Sequence, residues 1–312
     1  MDEDKLVHVE ETRFLVATLA PLVVREAWTG SGSSAAAAAA AGLTLPPGIR
    51  LARHIVVGAG RRLQVHEWRE GKLHMIGILD AFSFVRDLVT VGDLVFFGDV
   101  HGALRLAKWR DEDHQLIPIG ADIVRLSLSA VGLVVDGGAL GLVAADAEGN
   151  LLVDVCAPAE SSDRLALRAD FHLGAAVGRF ARARLAVPLG TPQAERRRCA
   201  TFFGSHSGSV GALVPVAEAD FQRLLMLQRV MTYCLPHAAG LNPKLWRQFA
   251  SLHAPGGPGG RPRARNVLDG TLLARFLALS AHTQHHFGEA IGSSAERVLA
   301  TMHELDVAAT CF

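Results

Sequence analysis

Residues 93–109 read DLVFFGDVHGALRLAKW. An apolar run, a short turn of Gly, Asp and His, and a second apolar run follow one another within this stretch. Short apolar runs bounded by turn residues read as strands. Glycine near the end of the turn supplies the positive φ that a tight reversal needs. The stretch therefore predicts a β-hairpin.

The same unit recurs along the chain. It appears as HIVVGAGRRLQVHEW (54–68), LGLVAADAEGNLLVDV (140–155) and CATFFGSHSGSVGALVPV (199–216). Gly102, Gly149 and Gly208 hold the same place in their turns. Further strands are expected at 86–91, 115–119 and 124–135, which bring each unit toward four strands. Repeats of roughly 40–50 residues made of short strands point to a β-propeller, each repeat forming one blade. A β-sandwich shares the even spacing of short strands, but recurrence of the hairpin itself favours blades. About four blades are visible, the first incomplete, near the lower limit for closure. The expectation is a partial propeller within a larger one.

Outward from these units the pattern changes on both sides. Residues 12–27 read as one or two strands, clearest from Phe14 to Leu19. Residues 29–48 are Gly, Ser, Ala and Pro, a low-complexity linker. After Pro215 the period becomes helical. A helix is expected from Glu218 to Leu235, with Phe221, Leu224, Leu225, Met231 and Leu235 on its apolar face. Pro236 ends it, and Asn242 before Pro243 caps the next, which is expected to reach Leu252. Asp269 caps a helix with Leu272, Leu273, Phe276 and Leu277 on one face. Ser293 and Glu296 stand at capping-box spacing before the last helix. The expected fold class is mainly β with an α-helical C-terminus. The division is 1–48 strand segment and linker, 49–217 blades, and 218–312 helical domain.

Composition narrows function. Of 312 residues half are hydrophobic and a fifth charged, so a large core can form. Formal net charge is zero, which removes a chain-wide basic balance as an argument for nucleic acid. Cys156, Cys199, Cys234 and Cys311 show neither metal nor disulfide spacing and read as reduced thiols. The acidic start, MDEDKLVHVEE, is not a signal peptide, and alanines 35–41 fall far short of the roughly 20 residues of a membrane helix. A soluble protein, with no membrane partner, is expected.

Catalytic motifs are missing. Gly58 and Gly60 in VVGAGRR lack the third glycine and the following helix of a dinucleotide fingerprint. No Walker loop, nucleophile elbow or Cys–His signature is present. His282, His285 and His286 lie together without the further ligand that a zinc site requires. Asp99 and His101 sit in a hairpin turn, where such residues satisfy backbone groups. The expectation is no enzyme, no cofactor and no metal. Two basic clusters, Arg196, Arg197 and Arg198, and Arg261, Arg263 and Arg265, are candidate phosphate contacts.

Five segments in order resemble one family. They are LRADFHLGAAVGRF (167–180), SGSVGALVPV (207–216), FQRLLMLQRVMTYCLPHAAGLNPKLWR (221–247), RNVLDGTLLARFLALS (265–280) and GSSAERVLATMHELDVAATCF (292–312). Together they resemble the C-terminal region of the largest subunit of the cleavage and polyadenylation specificity factor. The large damaged-DNA-binding subunit and the third subunit of splicing factor 3b are sisters of that family, and RNVLDG is also close to the latter.

The resemblance implies three β-propellers and a helical domain, of which this chain supplies most of the third propeller and the helices. It implies a nuclear, non-enzymatic scaffold in pre-mRNA 3′-end processing. Its partners are a WD-repeat and a zinc-finger subunit, which do most of the reading of the RNA signal, so RNA is met indirectly or weakly. It also implies a groove that receives a partner segment. Candidates for that groove are Ala176, Gly178, Arg179 and Val210, around the turn after FHLG and on the neighbouring hairpin. The other readings are a spliceosomal or DNA-repair and ubiquitin-ligase scaffold of the same superfamily, or direct RNA binding through the arginine loops.

Overall fold

The computed structural model describes residues 16–22, 54–102, 104–122, 126–136, 139–156, 165–184, 199–248 and 266–310. The alanine run, the 29–48 linker and both arginine clusters lie outside the described residues. All four expected hairpins form, and each is a neighbouring antiparallel pair within a sheet.

The first sheet runs in the order β1 (Val16–Leu22), β2 (His54–Ala59), β3 (Arg62–Arg69), β4 (Lys72–Asp80). The second contains β5 (Val85–Val91), β6 (Leu94–Asp99), β7 (Leu104–Arg110) and β8 (Gln115–Ala121). The third contains β9 (Leu128–Asp136), β10 (Ala139–Asp146), β11 (Asn150–Cys156) and β12 (Leu165–His172). The fourth has three described strands, β13 (Val177–Arg184), β14 (Cys199–Ser205) and β15 (Val210–Leu213).

One irregularity repeats in every sheet. The first strand carries a bulge opposite the end of the second, at residues 17, 86, 129 and 178. A bulge adds twist and re-aims the next side chain, and it does not recur at one place by accident. The four sheets are thus copies of one unit. Inside the bulge the paired second-strand residues are Gly58, Gly98, Ala145 and Gly204.

The chain forms two compact units, residues 1–121 and 122–312. In the first, the core lies between two sheets and includes Val56, Leu63, Val65, Leu88, Val95, Phe97 and Trp109. Strand alternation places them on one face, so burial follows from period. The connection after β4 is held from below. Asp99 Oδ2 accepts the backbone N–H groups of Phe82 at 3.1 Å and Ser83 at 3.4 Å. Gly102 was expected to supply positive φ to its turn. Its φ is not positive; a Cβ there would lie 2.6 Å from Asp99 Cβ and Oδ2, so close approach is the reason for the glycine.

Burial raises the Asp99 carboxyl above the usual carboxylate range, against the Arg105 charge, the two N–H donors and the Arg61 charge. The folded state therefore holds this proton more tightly than the unfolded chain. The stability it adds is complete below about pH 4 and is lost as pH rises through the raised value. Asp99→Asn keeps both acceptor bonds and cannot ionise. Wild type should lose stability relative to Asp99→Asn as pH rises from about 4 toward neutrality. Parallel denaturant midpoints for the two proteins across that range would contradict this.

In the second unit, β9 packs on β13. A Cβ on Gly132 would lie 2.7 Å from Phe180 Cβ, so this glycine sets the approach of the two sheets. Helices follow: α1 (Glu218–Cys234), α2 (Pro243–Trp246), α3 (Gly270–Ala274), α4 (Ala281–Ala290) and α5 (Ala295–Thr310). Leu224, Leu227 and Met231 of α1 pack with Leu273, Phe276, Phe287, Val298 and Met302 in a separate core. Leu235 is extended before Pro236, and Asn242 caps α2 by accepting the Lys244 N–H at 2.9 Å, both as expected.

Three details differ from expectation. The helix at Pro243 is a single turn ending at Trp246. The helix at Asp269 tightens into a 3₁₀ turn over Arg275–Ala278, which leaves Leu277 exposed while Phe276 is buried. Ser294, not Ser293, caps α5, its Oγ accepting the Arg297 N–H. Among the described residues no helix is long and apolar enough to cross a membrane.

Candidate functional site

The last hairpin and the turn after β12 carry the candidate residues. In the fourth sheet Arg179 pairs with Gly204, and Gly204 pairs with Val210. Residues directly opposite in a sheet share a face. Arg179 is exposed, Val210 is 71% exposed, and a Cβ on Gly204 would meet nothing within 4 Å. The row is a shallow trough with a glycine floor between an arginine and a valine. The next row faces the opposite way. Phe180, Phe203 and Gly211 pair in register, and the Phe203 ring lies directly over Gly211. Phe180 and Phe203 meet edge to face at 6.3 Å, which backs the trough with a packed aromatic layer.

Structure thus brings Arg179 and Val210 together across Gly204. Gly178 is the bulge residue beside them. Ala176 lies at the margin, its carbonyl accepting the His206 N–H at 2.9 Å. At the hairpin tip the hydroxyls of Ser205 and Ser209 are 2.6 Å apart, and Ser205 Oγ accepts the Ser209 N–H. Arg196, Arg197, Arg198, Arg261, Arg263 and Arg265 lie outside the described residues.

The turn after β12 is held by a polar chain. Asn150 donates Nδ2–H to Asp146 at 2.7 Å, and its Oδ1 meets His172 Nδ1 at 2.9 Å. Burial, then the Arg247 charge, lowers the His172 pKa. Because Asn150 Oδ1 can only accept, His172 donates to it from Nδ1. Burial raises the Asp146 carboxyl, opposed by the two bonds from Asn150. The carbonyl of Gly149 accepts from Leu173 and Gly174.

From the helical side, Arg247 closes the turn. Its Nη1 donates to the carbonyls of His172 at 3.2 Å and Leu173 at 3.0 Å, and its Nε donates to Asp269 Oδ2 at 2.9 Å. The guanidinium lies 3.8 Å over the Trp246 ring and 4.7 Å over Phe171. Gly174 has φ +83, and a Cβ there would come 2.8 Å from Trp246, so no other residue fits this turn without strain. Sequence reading missed Gly204 and Arg247. The repeat of FFG at 96–98 and 202–204 was a signal for the first. The second had only its place at the end of the recognised 221–247 stretch.

Among the described residues no group of His, Cys, Asp and Glu is placed to hold a metal ion. What the geometry offers is a contact surface: a trough on one face of repeated antiparallel sheets, anchored to a helical end. The matching family is the CPSF A subunit region, which covers residues 50–278, and the chain belongs to this family.

Relatives agree. The chain is 31% identical over 261 residues to the probable cleavage and polyadenylation specificity factor subunit 1 of Oryza sativa subsp. japonica, covering 82% of this chain and 18% of that protein. It is 31% identical over 259 residues to subunit 1 of Arabidopsis thaliana, covering 81% and 18%. With subunit 1 of Drosophila melanogaster the identity is 26% over 266 residues, covering 83% and 18%. The chain thus spans less than a fifth of the length of these relatives.

Proposed function

We propose that this chain is a scaffold segment of the nuclear machinery that cleaves and polyadenylates pre-mRNA, and that it acts by binding proteins rather than by catalysis. The observation that carries the reading is membership of the CPSF A subunit family across residues 50–278, with relatives named as specificity-factor subunits. In this reading residues 49–217 are blades of a β-propeller, residues 218–312 are a helical domain, and residues 1–48 are a strand segment and linker. The bulge repeated in all four sheets supports blades, because a propeller is built from copies of one sheet.

The trough at Arg179, Gly204 and Val210 suits an extended partner segment. A glycine floor lets a second backbone approach closely, and the flanking side chains select it. The partners in this reading are the WD-repeat and zinc-finger subunits. RNA is reached through them, and the six arginines of the two basic clusters add weak phosphate contacts.

Affinity capture from nuclear extract, using the tagged full chain and read by mass spectrometry, tests the reading. The expected result is recovery of polyadenylation subunits by wild type, reduced about tenfold or more by Gly204→Trp, which fills the trough. Recovery of splicing or ubiquitin-ligase subunits instead would move the chain to a sister role. Equal recovery by Gly204→Trp would remove the trough from the interface.

A further inference from the structure

A second surface lies on the helical end. Met226, Arg229 and Tyr233 are spaced three and four residues apart on α1, and all are exposed. They share the face opposite Leu224, Leu227 and Met231, which are buried. The segment at α2 extends this face, because the Lys244 ammonium sits 5.9 Å from the centroid of the Tyr233 ring. Leu241 and Leu245 flank Lys244. Tyr233 is 79% exposed, Leu245 66% and Leu241 57%. Large apolar side chains exposed on adjoining segments in this way mark an interaction site more often than single ones do.

Charge identifies the occupant. Residues 221–247 contain no Asp or Glu, and their cations are Arg223, Arg229, Lys244 and Arg247. Arg223 is neutralised by Asp220 at 2.9 Å and Arg247 by Asp269 at 2.9 Å. Among the described residues Arg229 and Lys244 have no carboxylate partner. The apolar face is therefore bordered by two cations that nothing described offsets.

A second copy of the chain is disfavoured here, since a twofold contact would set these like charges against each other. Single-stranded nucleic acid is disfavoured too. It needs several rings for stacking, and the proposed face carries one, Tyr233. We propose that the face formed by Met226, Arg229, Tyr233, Leu241, Lys244 and Leu245 docks an acidic amphipathic segment of a partner protein. The partner's apolar residues meet Tyr233, Leu241 and Leu245, and its carboxylates meet Arg229 and Lys244.

The test uses the purified full chain and fluorescence anisotropy with two labelled helical peptides of about 18 residues, or five turns. Both carry leucines at i, i+3, i+4 and i+7; one is flanked by glutamates and the other by lysines. Wild type should bind the glutamate peptide at least about tenfold more tightly than the lysine peptide. The paired substitution Arg229→Glu with Lys244→Glu should reverse that order. Tyr233→Ala with Leu245→Ala should weaken the glutamate peptide about tenfold or more.

Every substituted side chain is exposed, so melting curves should match wild type. If the charge reversal does not fold, the apolar pair still decides the question. Equal binding of the two peptides, an order unchanged by charge reversal, or full affinity after apolar truncation would overturn the proposal. Displacement of the glutamate peptide by oligouridylate would overturn it in favour of a nucleic-acid surface. No polyadenylation subunit takes part, so the outcome is independent of the capture experiment above.

Discussion

Arg247→Ala should destabilise the second unit by about 3–5 kcal/mol, the cost of leaving one partner of a buried ion pair alone. The Arg247 side chain is only 12% exposed and that of Asp269 7%. Removing the guanidinium strips Asp269 of its countercharge and frees the carbonyls of His172 and Leu173. It also uncovers the faces of Trp246 and Phe171. Two contacts survive. Asp269 still caps α3 through Thr271 and Leu272, and the Arg247 carbonyl still accepts the His172 N–H. The helix itself should therefore form while its attachment to the turn after β12 weakens.

Arg247→Lys is the sharper comparison. An ammonium can meet Asp269 but cannot at the same time stack as a plane and donate along two directions. Lysine should recover only part of the loss. Denaturant unfolding followed by tryptophan fluorescence, with Trp246 as a local reporter, measures both. A loss under about 1 kcal/mol for alanine, or full recovery by lysine, would show that the arginine is a surface ornament and not a latch.

Phe203→Ala should cost a similar amount, about 3–5 kcal/mol, from lost burial plus the cavity left behind. Phe203 packs on Phe180 and covers Gly211, so its removal empties the layer directly beneath the trough. The geometry makes a further claim about sign. In wild type Gly211→Val should destabilise by about 1–3 kcal/mol, because the new side chain must occupy the space of the Phe203 ring. In the Phe203→Ala background that space is open, and valine suits a strand. The same change should then stabilise. A double-mutant cycle by denaturant titration reads the coupling. Gly211→Val destabilising equally in both backgrounds would mean that Phe203 and Gly211 do not compete for one volume.

The four hairpins were legible because their causes are local. Apolar alternation and turn glycines act within about 15 residues, and Gly149 and Gly208 indeed take positive φ. Gly102 looked the same in sequence, yet its cause is the Asp99 side chain folded under the turn. Helix starts were legible to within a residue, as Ser293 and Ser294 show, since either serine can begin the turn and only packing chooses. Leu277 was placed on the apolar face because a 3.6-residue period was assumed through Ala278; the 3₁₀ turn rotated it out.

Of the row across the last sheet, Arg179 and Val210 were named from the sequence and Gly204 was not. A row across three strands joins residues 179, 204 and 210, and register is a property of pairing, not of any one strand. Arg247 was hidden for the same kind of reason, since its carbonyl acceptors are 74 and 75 positions away. By itself the sequence determined the repeated hairpins, the change from strands to helices near residue 217, and the family. Each of these rests on period, turn chemistry or a run of contiguous residues. Only the tertiary structure decided which face of the last sheet is open, which glycine is its floor, and which arginine holds the helices to the turn after β12. Those depend on which distant strands pair, because burial and countercharge are assigned by neighbours in space.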